Sequence, residues 1–369
     1  MPEYYVGLMS GTSMDGIDAV LIDFSDSETP KLICSHSHDW PEDIHQQLLA
    51  TRDLPDERLN TLSPLDIRLG EIFAEATLEL LDNAQLSTSD IIAIGNHGQT
   101  IRHRPDAAKP FSLQIGDAKT LTQKTGIRVV DDFRTADIEA GGQGAPLAPA
   151  FHEAVFRSNS ENIGVLNLGG IANLSVLPSD QNQPVTGFDT GPANTLMDAW
   201  IEKCCGKSFD ENGDFARSGK INQTLLEQLL ADNYFKITPP KSTGFELFNI
   251  EWLNKSLSDK NLRDADVQAT LCELTAQSIC GAIKQHAPTI NHLLVCGGGV
   301  HNTYLLERIQ STLPECKVES TEAYGIHPDW MEAMAFAWLA RCKLNNQPAK
   351  LASVTGASRN VVLGCITEA

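Results

Sequence analysis

The chain of 369 residues has no run of about 18 apolar residues, so no membrane-spanning helix is expected. Its first residues, Met1-Pro-Glu-Tyr-Tyr, lack a basic stretch followed by an apolar one, so no signal peptide is expected either. Basic residues are scarce: Lys plus Arg number 28 against 48 Asp plus Glu, a formal net charge of −20. A polyanion of this kind repels nucleic-acid backbones and anionic lipid, so neither is an expected partner. Any anionic ligand has to be held by local donors. Cys-x-x-Cys is also absent. The nine cysteines (34, 204, 205, 272, 280, 296, 316, 342 and 365) are scattered and odd in number. They read as free thiols of a cytoplasmic protein, not as a disulfide framework or a metal site. Cys204-Cys205 reads as packing or surface, since adjacent cysteines rarely close an unstrained disulfide. With 41% hydrophobic and 21% charged residues, the composition excludes disordered and fibrous classes.

The common nucleotide motifs are missing as well. Gly206-Lys-Ser208 matches the end of a phosphate loop, but Ile201 stands where the first glycine is required. Gly297-x-Gly299 is followed by Asn302 where the dinucleotide fingerprint needs a third glycine. No His-Glu-x-x-His occurs, and Gly7-Leu-Met-Ser10-Gly has the wrong spacing for a nucleophile elbow. The glycine-rich turns therefore need another account.

What is present alternates between strand and helix patterns, which makes the class α/β. Tyr4 to Met9 and Ile17 to Phe24 read as strands around the loop Ser10-Gly-Thr-Ser-Met-Asp-Gly16, and Lys31 to His38 as a third, antiparallel strand. Pro64 to Asn83 has helical spacing, with Leu65, Leu69, Ile72, Phe73, Ala76 and Leu80 on one face. Ile91 to Ile94 reads as a buried strand entering a polar loop, Gly95-Asn-His-Gly-Gln-Thr100, and Ile127 to Phe133 as another strand. The second half repeats the opening: Ile163 to Leu168, Gly169-Gly170, then Ile171 to Leu177. We read this as a weak internal repeat, the trace of a duplicated domain. Gly187-Phe-Asp-Thr-Gly-Pro-Ala-Asn194 reads as a turn leading into a helix from about Ala193, with Pro192 in its first turn. A long helix should bury Val267, Leu271, Leu274, Ile279 and Ile283. His292 to Cys296 is a buried strand before a helix from about Asn302. Asp329 to Leu344 reads as the last strong helix and Val361 to Ile366 as the last strand. The expected domains are 1–145 and 146–369, with the boundary somewhere between Gly141 and Ile163, the helix Leu147 to Phe156 open to either side, and the extreme C-terminus, with its strand, open to a return to the first domain.

Four glycine-rich turns (11–16, 169–170, 187–191 and 297–299) thus each follow a short apolar strand. Glycine there lets the backbone approach a ligand and aim N–H groups at an anion. Each turn alone is an ordinary tight turn. All four together, with Asp15, Asp18 and Asp189 in or beside them, point to phosphate, and acidic groups beside phosphate point to Mg²⁺.

Two halves that each open with strand, turn and strand, and a late Gly-Gly-Gly turn, resemble the actin, hexokinase and Hsp70 ATPase superfamily, with a ribonuclease H-like sheet in each domain. More narrowly, the chain resembles the anhydro-N-acetylmuramic acid kinase family over nearly its whole length. The resemblance is carried by Gly7-Leu-Met-Ser-Gly-Thr-Ser-Met-Asp-Gly-Ile-Asp18, Gly95-Asn-His-Gly-Gln-Thr100, Gln114-Ile-Gly-Asp117, Asp131-Asp-Phe-Arg134, Leu166-Asn-Leu-Gly-Gly-Ile-Ala-Asn173, Phe188-Asp-Thr-Gly-Pro-Ala-Asn194 and Cys296-Gly-Gly-Gly299. The first hairpin loop is longer than the superfamily's short Asp-x-Gly-Thr/Ser turn and agrees with the narrower family.

The resemblance implies ATP in an interdomain cleft, with phosphate and adenosine contacts from Gly11, Thr12, Ser13, Met14, Asp15, Gly16, Ile17, Asp18, Gly169, Gly170, Gly297, Gly298 and Gly299, and Mg²⁺ at Asp18. It implies sugar contacts from His97, Asp117, Arg134 and Asn194, where Arg134 suits the carboxylate of a lactyl group. The implied reaction opens the anhydro bridge with water and phosphorylates the freed oxygen, in cell-wall recycling. Asp189 is the implied base. Placed at the mouth of a helix N-terminus, it should have a depressed pKa that keeps it ionised. Glu332, at the start of the last helix, reads as a complement to that helix's N-terminus. An ordinary sugar-hydroxyl kinase is the alternative in the same fold. A nucleotide-driven binding module is a third reading, one that needs a partner-binding extension. A homodimer stays open.

Overall fold

The protein is represented by a computed structural model that describes residues 1–11, 14, 16–26, 30–257 and 262–369. The chain forms two compact units: Met1–Val155 together with Trp330–Ala369, and Phe156–Asp329.

The first unit is built on a seven-stranded sheet. β1 (Tyr4–Ser10), β2 (Gly16–Asp23) and β3 (Lys31–Asp39) form an antiparallel meander. β4 (Ile91–Arg104) then joins β1 in parallel, with β5 (Phe111–Ile115) folded back on its far end. β6 (Val129–Asp131) lies parallel to β4. The spatial order is therefore 3-2-1-4-6. β1 and β2 are apolar on both faces because both are covered, whereas edge strand β3 alternates between exposed and partly buried residues. The helix Ser63–Asn83 buries Leu65, Leu69, Ile72, Phe73, Ala76 and Leu80, the face that its spacing predicts. These meet Val6, Leu8, Ile17, Ala19 and Leu21 in one cluster.

The second unit repeats the plan with five strands. β7 (Ile163–Leu168), β8 (Ile171–Leu177) and β9 (Thr186–Pro192) form a meander, and β10 (His292–Cys296) and β11 (Lys317–Ser320) run parallel to β7. Its order, 9-8-7-10-11, is that of the first sheet. The duplication read from two glycine turns thus extends to strand order and direction throughout. The helix Asp264–His286 buries the expected Val267, Leu271, Leu274, Ile279 and Ile283, and is enclosed on most of its circumference. Two of its buried polar groups are tied to neighbouring elements: Gln268 Nε2 donates to Asp210 (3.2 Å), and Arg308 donates to Glu273 (2.7 Å), while Gln268 Oε1 is buried without a protein donor.

Four expectations differ from the structure. The chain leaves the first unit after Val155, inside the expected interval, but re-enters it at Trp330, well before the extreme C-terminus. The helix Met331–Leu344 therefore belongs to the first sheet. The reason lies in paired strand glycines: a Cβ on Gly7 would overlap the Ala333 carbonyl oxygen, and one on Gly95 that of Phe336. The segment 95–100 is not a loop but the middle of β4. Gly187 to Pro192 is not a turn but strand β9, and the helix after it runs Asn194–Cys205. The last strand is only β12 (Cys365–Thr367), antiparallel to β6 at the edge of the first sheet. Among the described residues no helix is long and apolar enough to cross a membrane, and no two cysteines form a disulfide.

Candidate functional site

In the first unit, the hairpin loop between β1 and β2 is braced from β4. Gln99 is fully buried. Its Nε2 donates to the Gly11 carbonyl (3.0 Å), and its Oε1 lies 2.7 Å from the Ser10 hydroxyl, which donates to the Gly16 carbonyl (2.6 Å). Two motifs 89 residues apart thereby hold both ends of one loop. Thr12, Ser13 and Asp15 lie outside the described residues. Met14 has a positive φ of 64° and, with Ile17, buries its side chain in the core, so neither offers a side chain to a ligand. Asp18 sits on β2 and accepts a hydrogen bond from Ser37 (3.3 Å).

His97 and Arg134 come together. His97 Nδ1 lies 2.9 Å from the Gly98 carbonyl, which fixes the proton there and leaves Nε2 to accept from Arg134 Nη2 at 2.8 Å and Nε at 3.3 Å. Burial, aided by the guanidinium charge, holds His97 well below its ordinary pKa, so the ring is neutral. Its ring packs 4.5 Å from that of Phe336. Arg134 also donates to the Gly144 carbonyl (2.7 Å). Burial pulls its pKa down to about 10, partly offset by Glu332 and Asp137, and it stays a cation at neutral pH. Asp131, three residues before it, is pushed up to about 6 by burial and then by Asp132. Asp117 has a different setting: it caps the helix Ala118–Thr125, accepting from Thr120 N (2.8 Å) and Thr120 Oγ1 (2.5 Å).

In the second unit, Asp189 sits mid-strand in β9, largely enclosed. Asn173 donates to its Oδ1 (2.8 Å), and the Thr243 amide to its Oδ2 (2.9 Å). Its own amide donates to the Lys241 carbonyl (3.1 Å), and Tyr234 Oη donates to its carbonyl (2.7 Å). The Lys241 ammonium lies 4.5 Å from the centre of the Tyr234 ring. Burial raises the Asp189 pKa, against the hydrogen bonds from Asn173 and Thr243. This corrects the expected depression. Asp189 lies on a strand, and the next helix's first amides are spent on the glycine turn. Ala193 N and Thr195 N donate to the Gly170 carbonyl (2.9 and 3.1 Å) and Asn194 N to that of Gly169 (3.0 Å). A helix field already answered by carbonyls does little for a carboxylate further away. Asn194 Nδ2 in turn donates to the Leu168 carbonyl (3.0 Å), so this residue is a brace. In the late turn, Gly297 has φ +79° and no room for a Cβ beside Asn167. Gly298 is exposed with nothing within 4 Å of where a Cβ would stand, and Gly299 packs on Leu168.

Comparison with known proteins places the chain in a family. The profile of the anhydro-N-acetylmuramic acid kinase family matches residues 3–369. The chain belongs to that family. Curated anhydro-N-acetylmuramic acid kinases similar to it include those of Saccharophagus degradans (50% identical over 370 residues, 99% of each chain), Pasteurella multocida (49% over 366 residues; 98% of this chain and 96% of that one) and Coxiella burnetii (47% over 364 residues; 99% and 97%). Among solved structures, a ROK family glucokinase from Streptomyces griseus superposes only loosely, with a TM-score of 0.43 at 11% identity, covering 92% of this chain and 99% of that one. The fold assignment therefore rests on the strand order.

Around the candidate residues of this anhydro-N-acetylmuramic acid kinase family member stand groups that its motifs alone do not single out. Ser10 and Gln99 lie inside quoted motifs, yet their coupling shows only in the sheet register. Asn173, Tyr234, Lys241 and Thr243 surround Asp189. The signal for the last two was the loop Pro239-Pro-Lys-Ser-Thr-Gly244, an irregular segment with a lysine between turn formers. The arrangement can do two kinds of chemistry. A carboxylate whose oxygens are each tied by one donor keeps lone pairs with which to accept a proton. A guanidinium oriented by a neutral imidazole and a carbonyl presents a fixed cation to a carboxylate or phosphate.

Proposed function

We propose that the protein is an ATP-dependent kinase that opens the 1,6-anhydro ring of anhydro-N-acetylmuramic acid with water and phosphorylates the freed O6. The products are N-acetylmuramic acid 6-phosphate and ADP, in a cytoplasmic cell-wall recycling step. The observation that carries this reading is membership in the family along residues 3–369, with relatives of that name 47–50% identical over nearly the whole chain.

In this reading Asp189 takes a proton from water as the water oxygen bonds to the anomeric carbon. The bond from that carbon to O6 breaks, its electron pair stays on O6, and O6 takes the γ-phosphoryl group of ATP. One base then suffices, because phosphoryl capture replaces the acid that a glycosidase needs. Asn173 and the Thr243 amide aim the carboxylate, and the raised pKa makes it a better proton acceptor than an ordinary aspartate. Arg134, steadied by His97, receives the sugar's lactyl carboxylate. The β1–β2 loop and the Gly169-Gly170 turn hold phosphate, and Gly297 to Gly299 the adenosine. Asp18, a carboxylate beside the Ser37 hydroxyl, offers the hard oxygen donors that Mg²⁺ prefers, and the ion supplies charge neutralisation to the phosphates.

The test is sugar-dependent ADP release with Mg²⁺, run in H₂¹⁸O, for the natural chain and Asp189→Asn. The expected result is label on the anomeric carbon, with turnover in the variant lower by a factor of about 10² to 10⁴. Turnover with ordinary hexoses and no incorporation of label would replace this reading with a plain hydroxyl kinase.

A further inference from the structure

On the first unit, on the face of β3 opposite the Ser37–Asp18 contact, three side chains converge at the surface. His36 and His38 lie two residues apart on β3, hence on the same face of an edge strand. Glu79 comes from the helix Ser63–Asn83 packed over that face. His36 Nε2 and His38 Nδ1 are each 2.9 Å from the same carboxylate oxygen, Oε2 of Glu79. The two rings meet edge to face with centroids 5.9 Å apart. One ligand atom from each residue lies within 4.8 Å of the others. The imidazoles are about a fifth exposed and Glu79 is half exposed, so an ion from solvent can reach the cluster.

We propose that His36, His38 and Glu79 form a surface site for a divalent transition metal of the Zn²⁺ class. Two imidazoles and one carboxylate are a donor set that Zn²⁺ takes in three-ligand sites, with water as the fourth ligand. Tetrahedral bonds of about 2.0–2.1 Å put ligand atoms about 3.3 Å apart. The nitrogen–oxygen gaps of 2.9 Å therefore need to open by only about 0.4 Å for an ion to replace the two hydrogen bonds. Zn²⁺ takes imidazole as a neutral ligand, so each ring would offer it the lone pair of the nitrogen that faces Glu79. Hard cations such as Mg²⁺ disfavour this set, because two of its three donors are nitrogens.

The metal would tie the edge strand to its covering helix. Among the described residues β3 carries no strand on its outer side, and its inner partner β2 begins at Gly16, where the braced hairpin loop ends. Among the groups near the site, Ser37 points to the opposite face, toward Asp18, and Glu75, one turn before Glu79, is 3.5 Å from Arg68. Neither competes for the three ligand atoms.

The test uses the full chain without a histidine tag, stripped of metal and dialysed against Zn²⁺, with Co²⁺ as a spectroscopic probe. The expected result is about one Zn²⁺ per chain, a melting temperature raised by about 3 °C at saturating metal, and visible ligand-field bands with Co²⁺. Binding should weaken about tenfold or more in the His36→Ala/His38→Ala double variant and in Glu79→Gln. Kinase activity should stay at the natural level in both. Glu79→Gln changes only an exposed side chain, so it reads the site even if the double variant folds poorly. Absence of a bound equivalent in the natural chain overturns the proposal. So does an equivalent retained by the variants, which would place the ion on thiols such as Cys204 and Cys205.

Discussion

In the first unit, β1 and β4 present Gly7 and Gly95 side by side, and the helix Met331–Leu344 lies so close that its own carbonyls occupy the space of the missing side chains. In the second unit, β7 also carries a glycine, Gly164, paired with Leu293 of β10. There the missing Cβ would meet the Cδ1 atoms of Ile290 and Leu293 at 2.9 Å and of Leu174 at 3.3 Å. One strand order is thus packed in two ways. A backbone carbonyl inside a helix cannot step aside without breaking its hydrogen bonds, whereas a leucine tip can rotate. The opening turns differ as well. The first loop is held by a buried side chain, Gln99, and the second by the backbone amides of Ala193, Asn194 and Thr195. The first unit therefore stakes its geometry on residue identity at a few positions, and the second spreads it over backbone and adaptable side chains.

The largest effect should come from Gly95→Ala. Its Cβ would overlap the Phe336 carbonyl and lie 3.1 Å from the Ala340 Cβ, so the helix must lift from the sheet. The expected loss is about 3 kcal/mol or more, read as a urea midpoint that falls steeply or as a failure to express soluble protein. Gly164→Ala should cost only about 1 kcal/mol, because overpacking against side-chain tips relaxes and alanine stiffens the unfolded chain. Equal losses in the two variants would abolish the distinction between rigid and yielding contacts.

Gln99→Leu comes next. It removes the side-chain tie between β4 and both ends of the loop, leaving the Gly11 carbonyl only the Met14 amide and the Ser10 hydroxyl only the Gly16 carbonyl, at a cost of about 1 kcal/mol. If the loop holds phosphate, KM for ATP should rise more than kcat falls. Asn194→Ala, in the second unit, removes only the bond to the Leu168 carbonyl and should cost about 1 kcal/mol, since backbone amides still hold the turn. A Gln99→Leu variant that loses stability with KM for ATP unchanged would make the brace purely structural.

Why some of this was legible in sequence and some was not follows from the range of each signal. The meanders, the helix Ser63–Asn83 and the repeat were legible because apolar spacing and glycine turns are local. The polar segment Gly95 to Thr100 looked like a loop because its Asn, His and Gln are buried by partners far away in sequence: Asn96 donates to the Gly116 carbonyl (3.0 Å), His97 accepts from Arg134, and Gln99 donates to Gly11. The return of residues 330–369 to the first unit depends on the fit between Gly7, Gly95 and a helix more than 230 residues later, which no periodicity encodes. For Asp189 the motif marked the residue, but the sign of its pKa shift depended on Asn173, Thr243 and burial. Pro192 and Gly191, typical of a turn into a helix, are held in β9 by its pairing with β8.

That shift allows a smaller and more selective perturbation. Burial raises the Asp189 carboxyl, and the bond from Asn173 opposes it. Asn173→Ala removes the opposing bond, so the pKa should climb further. If Asp189 is the base, activity falls as pH drops through its pKa. The acid limb of the rate profile should therefore lie above the usual aspartate range and move toward neutral pH in Asn173→Ala. The stability contribution has the opposite sense. A carboxyl raised on folding stabilises below its unfolded pKa, and that contribution is lost as pH rises through the folded value. An acid limb that does not move in the variant would remove Asp189 from the rate-determining proton transfer.

The smallest effect on stability is expected at Gly298, and it is the most informative about function. Gly297, its neighbour, needs φ +79° and has Asn167 where a Cβ would go, so substitution there reports folding alone. Gly298 is exposed with open space around it, and Gly298→Ala should change stability by less than about 0.5 kcal/mol. Open space next to a constrained glycine is what a ligand's close approach leaves behind, but it is also what any surface turn leaves behind. The two differ in one number. If adenosine packs on this turn, the added methyl group occupies its place, and KM for ATP rises severalfold while kcat and the melting temperature hold. If KM for ATP is unchanged, the nucleotide does not touch Gly298, and the glycines of this turn serve the tight passage from β10 into the following helix, as Gly7 and Gly95 serve packing in the first unit.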